Sequence, residues 1–135
     1  MGSPTEQRRT AAAKRPWAKV VGYSRAVRVG HQVEVAGTGP ADEHGEIVAP
    51  GDAYAQTAFC LGVIGEALAE VGARFEDVVR TRVYLRNMED WEGVGRAHGE
   101  VFAQIQPAST FVGAGDFLLP GFLVEIEASA VVLGE

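Results

Sequence analysis

The segment Leu123-Val124-Glu125-Ile126-Glu127-Ala128-Ser129-Ala130 constrains the fold more than any other part of the chain. Side chains on a strand alternate between faces, so Val124, Ile126, Ala128 and Ala130 share one face and Leu123, Glu125, Glu127 and Ser129 the other. The first set asks for a hydrophobic layer. The second asks for water or a polar partner. A strand from Phe122 to Leu133 is therefore predicted to lie in a sheet with one buried face.

Two helical segments are available to cover that face. Asp52 is a candidate N-cap for a helix running to about Val71, with Phe59, Leu61, Ile64, Leu68 and Val71 at helical spacing and Gly72 as the stop. A second helix is predicted to start near Glu89 or Asp90, to carry Trp91, Val94, His98, Val101 and Phe102 on its apolar stripe, and to end before Pro107. Ser24–Val29 and Gln32–Gly37 read as a hairpin around Gly30-His31, and Gly37 to Gly51 as a loop. Val78–Leu85 reads as a strand with Val79, Thr81, Val83 and Leu85 opposite Arg80, Arg82, Tyr84 and Arg86. Ala108 to about Ala114 is the remaining strand. The predicted order is β-β-α-β-α-β-β, an α+β fold in which both helices lie on one face of a mixed sheet of four or five strands. The other face is left for water or for another subunit, whose carboxylates and guanidiniums would pair there.

A chain of 135 residues fits one domain. Residues 1 to about 15 carry Arg8, Arg9, Lys14 and Arg15 without apolar periodicity and are expected to be a disordered tail, with residues 16–135 forming the domain. The formal charge of −6 opposes a general role on nucleic acid, which needs a basic face. No apolar run approaches the length of a membrane span. Cys60, the single cysteine, sits in an apolar helical pattern and is expected to pack as a small hydrophobe, in keeping with a reducing, cytoplasmic setting.

Four pieces, in order and spacing, carry a family resemblance: Gly22-Tyr23-Ser24 with Ala26-Val27; Val35-Ala36-Gly37; Val83-Tyr84-Leu85 followed by Met88-Glu89-Asp90-Trp91; and Pro107-Ala108 ahead of Leu123-Val124-Glu125-Ile126-Glu127. From about Gly22 to Val132 the chain resembles the RidA/YjgF family. The resemblance implies a chorismate-mutase-like fold and a homotrimer whose helix-free sheet faces form a central barrel, with ligand clefts between subunits. For deaminase members it implies hydrolysis of enamines and imines such as 2-aminoacrylate to a 2-keto acid and ammonia, without metal or organic cofactor. By position, Glu125 matches the glutamate that handles the attacking water, Tyr23 a ligand-holding tyrosine and Gly37 the glycine whose backbone amide helps to hold the ligand.

The arginine that grips the substrate carboxylate in that chemistry is replaced by Ser109. A guanidinium offers a fixed two-pronged grip and a serine one neutral hydrogen bond, a change that weakens carboxylate binding by about 2 to 5 kcal/mol. Phe111, on the same face as Ser109, makes that surroundings more apolar. Arg82 is a candidate substitute anchor, or else an interface partner of Glu127 or Glu34. Glu125 is a general base or half of an interface ion pair, and Tyr23 a ligand contact or a packed side chain with a wet hydroxyl. His98 reads as a satisfied core histidine. Three functions fit: an enamine or imine hydrolase, a non-catalytic small-molecule sensor, or a specialised biosynthetic enzyme. The ribonuclease label attached to parts of the family fits poorly with the net charge and the acidic strand.

Overall fold

The computed structural model describes residues 7–134. In chain order the elements are β1 (Arg8–Ala12), α1 (Ala18–Val21), β2 (Ser24–Val29), β3 (Gln32–Thr38), α2 (Ala53–Glu70), β4 (Val78–Leu85), α3 (Trp91–Phe102), β5 (Ala108–Gly113) and β6 (Val124–Val131). Six strands form one sheet in the order β1-β2-β3-β6-β4-β5. All pairs are antiparallel except β4 with β5. The alternating C-terminal strand thus sits in the middle, and its inward residues Val124, Ile126, Ala128 and Ala130 are buried as the pattern requires.

Local chemistry sets the element ends. Val29 pairs with Gln32 across Gly30-His31, and Gly30 adopts φ +62°, which a residue with a side chain rarely tolerates. The Asp52 side chain accepts a hydrogen bond from the Ala55 amide at 3.0 Å, capping α2. At its far end the buried Arg28 reaches across from β2 and donates to the Val71 carbonyl at 2.9 Å and the Gly72 carbonyl at 3.3 Å. Carbonyls that a helix end leaves open are satisfied from the sheet. Cys60, Leu61, Ile64 and Leu68 of α2 pack into the same core as Val33, Val83, Leu85 and Ile126. Burial raises the Cys60 thiol pKa well above its ordinary value, so it packs as a hydrophobe as expected.

Three sequence expectations change. The region expected to be a disordered tail contains β1, paired with β2 from Arg8↔Val29 to Ala12↔Ser24, and Ala11 and Ala13 are buried. A small-residue strand has no strong alternation to reveal it, and its partner supplies the hydrogen bonds; residues 1–6 of the expected tail lie outside the described residues. Val79 does not share the core face of β4: a register shift between Val78 and Arg80 against β6 turns Val78 inward and leaves Val79 49% exposed. Trp91 stands at the start of α3 with 55% of its surface exposed, outside the buried stripe of Val94, Ala97 and Phe102. No helix among the described residues is long and apolar enough to cross a membrane.

Candidate functional site

The sequence-derived site residues fall on two sides of the sheet. Glu125, Glu127 and Arg82 project from the helix-free face. Ser109 and Phe111 project from the opposite face, because Ser109 pairs with the fully buried Thr81 and Phe111 with the fully buried Val83 in the parallel β4–β5 ladder. One protomer does not bring the two groups together.

On the helix-free side, a register shift between Val35 and Thr38 interrupts the pairing of β3 with β6. Gly37 lies within it, and a Cβ there would stand 3.1 Å from Oε1 of Glu125. The close approach of backbone to carboxylate needs the missing side chain. Burial, followed by the negative charge of Glu127, raises the pKa of Glu125, while the positive charge of Arg25 pulls it down. Arg25 is only 5% exposed. It donates to the Gly37 carbonyl at 2.9 Å, to Thr38 Oγ1 at 3.3 Å and to the Tyr23 hydroxyl at 3.2 Å. Tyr23 also accepts from Trp17 Nε1 at 3.0 Å, so its oxygen is engaged within the fold and its own proton is free to be donated. Arg25 was not singled out from the sequence. A charge beside the small residues at the start of a strand is the signal that could have found it.

Arg82 approaches Glu127 at 3.8 Å, and Tyr84 donates to the same carboxylate oxygen at 3.1 Å. Of the partners weighed for Arg82, Glu127 is the one it approaches within the chain. This contact places Arg82 away from Ser109.

On the other side, Thr81 Oγ1 donates to Ser109 Oγ at 2.7 Å and is hydrogen-bonded to His98 Nε2 at 2.9 Å. A hydroxyl has one hydrogen, so with Thr81 donating to Ser109 the imidazole must donate from Nε2 to Thr81. His98 stacks at a tilt on Phe102 and meets Phe111 edge-on, with centroids 4.7 and 5.8 Å away. Burial lowers its pKa below the ordinary 6.5, favouring the neutral ring. His98 is therefore satisfied, as read from the sequence, but it forms a wall rather than a piece of core. A hollow of about 470 Å³ opens there, lined by Met88, Trp91, Gly95, His98, Ser109 and Phe111. Thr81 was legible as a hydroxyl on an otherwise apolar strand face. Its meeting with His98 was not, because that depends on how α3 is seated.

A second hollow of about 430 Å³ lies beside α2, with Lys14, Arg15, Arg25 and Glu66 among its lining. Burial and the nearby Arg25 hold the Arg15 pKa below its usual value, and Arg15 donates to the Ala41 carbonyl at 2.8 Å, tying the N-terminal segment to the loop after β3.

Helices packed on one face of a single sheet, with acids on the other and a ligand-sized hollow at an edge strand, define an α+β protein of the chorismate-mutase-like fold. The chain belongs to the RidA/YjgF family, whose family model, described as endoribonuclease L-PSP, matches residues 13–132. Among curated relatives, the uncharacterized protein SCO2049 of Streptomyces coelicolor is 40% identical over 115 residues, 85% of each chain. The 3-aminoacrylate deaminase RutC of Acinetobacter baylyi is 33% identical over 110 residues, covering 82% of this chain and 86% of that one. Among solved structures, Rv2704 of Mycobacterium tuberculosis, a member of the YjgF/YER057c/UK114 family, superposes with a TM-score of 0.85 at 40% identity, over 93% of this chain and all of that one.

Proposed function

We propose that the chain hydrolyses or otherwise processes small enamines, imines or related carbonyl compounds in clefts between the copies of a cytoplasmic homotrimer, with Glu125 activating water. The carrying observation is Glu125 itself: a half-buried carboxylate with a raised pKa, held beside the Gly37 opening. A carboxylate made more basic by burial is better matched to taking a proton near neutral pH. Two features support a cleft shared between copies. Glu125 and Ser109 point to opposite sides of one sheet, so a single site using both needs a neighbour. The helix-free face also carries an ion pair and acids that a facing copy can engage. Tyr23 and Gly37 would then shape the water side, and Ser109 and Phe111 the ligand side. Arg82 would serve the interface through Glu127. The deaminase name of the Acinetobacter relative is consistent with chemistry at a carbon bearing nitrogen.

Ammonia release from a panel of imines and enamines is expected for the wild type and is expected to disappear in Glu125→Gln, with the trimer intact by light scattering. An intact trimer that turns over nothing on the panel would defeat the proposal. Ser109 favours a second reading, a non-catalytic small-molecule sensor, because the resemblance puts an arginine there in deaminases. Ligand-induced thermal stabilisation without turnover is its signature.

A further inference from the structure

We infer that the hollow beside β5 selects a neutral ligand: one presenting a hydrogen-bond acceptor, such as a carbonyl oxygen or imine nitrogen, to Ser109, and an apolar or aromatic group to Phe111, Trp91 and Met88. The inference rests on the proposed small-molecule function and specifies its substrate class.

The Ser109–Thr81–His98 chain sets the polar side of the hollow. His98 Nε2 gives its hydrogen to Thr81, and Thr81 gives its own to Ser109. Both hydrogens are committed inside the protein, which leaves the Ser109 hydrogen as the one this chain can turn outward into the hollow. Thr81 is fully buried, so its hydrogen bonds to Ser109 and His98 are shielded from competing water. Ser109 is thereby oriented as a donor. Thr81 and His98 are positioning residues for it.

None of the side chains lining the hollow is a carboxylate, lysine or arginine, and its only titratable member, His98, is shifted by burial toward the neutral form. A carboxylate entering here would shed water against Phe111 and Trp91 and find one neutral donor in return, a poor exchange. A ketone, amide or imine gives up far less hydration and receives the same hydrogen bond. The remaining surface is aromatic and thioether, suited to a flat or branched apolar group. At about 470 Å³ the hollow has the size of a small-ligand pocket.

The test compares acetophenone with its near-isostere benzoate, binding each to the full-length protein and following the Phe111 and His98 resonances by NMR. Acetophenone is expected to bind about tenfold or more tightly than benzoate. Ser109→Ala is expected to weaken acetophenone by about fivefold, the worth of one neutral hydrogen bond, and Ser109→Arg to reverse the preference toward benzoate. Thr81→Val keeps the shape but removes the link. It is expected to change the tautomer ratio read from the His98 ring nitrogens and to narrow the acetophenone preference together. Benzoate binding the wild type as well as acetophenone overturns the inference. So does a failure of both probes to bind, the result expected if a neighbouring copy's side chain fills the hollow. The enzymatic proposal fails separately: Ser109-dependent acetophenone binding without imine turnover removes the reaction and leaves the neutral-ligand preference standing. Turnover confined to imino acids, with benzoate as the tighter probe, does the opposite.

Discussion

The two faces of β6 and its neighbour β4 are built to different rules. Toward the helices, buried polar groups pair inside the protein: Thr81 holds both Ser109 and His98, and Arg28 on β2 reaches backbone carbonyls. Away from the helices, the face carries charged side chains, and the ion pair among them is loose. The Arg82–Glu127 contact is 3.8 Å long between side chains that keep 45% and 37% of their surface exposed. A neutral hydroxyl survives burial on one hydrogen bond, whereas a carboxylate needs water, a cation or a protonated state. The helix face therefore carries fold and shape, and the open face carries charge that keeps its contact with water.

Substitutions should separate the faces by size of effect. Ile126→Ala, in the middle of the buried face, is expected to cost about 2 to 5 kcal/mol in chemical denaturation, because Ile126 is fully buried and few neighbours can close the gap. Thr81→Val keeps the volume and removes the link between Ser109 and His98, for an expected loss of about 1 to 2 kcal/mol. Glu127→Ala on the open face should cost less than about 1 kcal/mol at a dilution where the protein is monomeric. A much larger loss at concentrations where copies associate would show that a neighbour covers this face. Equal costs for Ile126→Ala and Glu127→Ala in the monomer would break the contrast altogether.

The smallest effects are in pH dependence, and they have opposite signs. Glu125 keeps its proton to a higher pH in the folded chain than in the unfolded one. Between those two values the folded state binds more protons, so its stability falls as pH rises from the ordinary glutamate value near 4.5 through the folded one. Glu125→Gln should flatten that slope. His98 behaves in reverse: its folded pKa lies below 6.5, so its contribution is complete above 6.5 and is lost as pH falls through the folded value. His98→Gln should remove the loss on the acid side. Thermal unfolding across pH 4 to 8, on the order of one pH unit per step, reads both slopes.

How much of this was legible in the sequence follows the same division. Val124, Ile126, Leu61, Ile64 and Leu68 announce themselves because one periodic pattern satisfies both the local element and the core. The Asp52 cap and the Gly30-His31 turn are likewise local, and both stand where expected. Val79 is misplaced by alternation, since a register shift belongs to two strands and leaves no mark in one. β1 was hidden because Ala11 and Ala12 have little preference for a strand and are held there by their neighbour. Glu125 and Ser109 are singled out by position in the sequence. That they face opposite ways follows from Thr81 and Val83 across the parallel ladder, a relation that needs the pairing and not just the alternation. Arg25 and the His98–Thr81 bond depend on how distant segments come together, and no local pattern encodes either.

The position of β6 also governs the order in which the molecule can be assembled during synthesis. The strand that joins β3 to β4, and so turns two partial sheets into one, comes last of the six in chain order. Until residues 124–131 emerge, the β1–β2–β3 meander and the β4–β5 pair have no hydrogen-bonded connection, and α2 has only part of its sheet to rest on. The growing chain must carry exposed apolar surface on both halves until β6 has emerged, which makes that interval the one in which it is most exposed to aggregation.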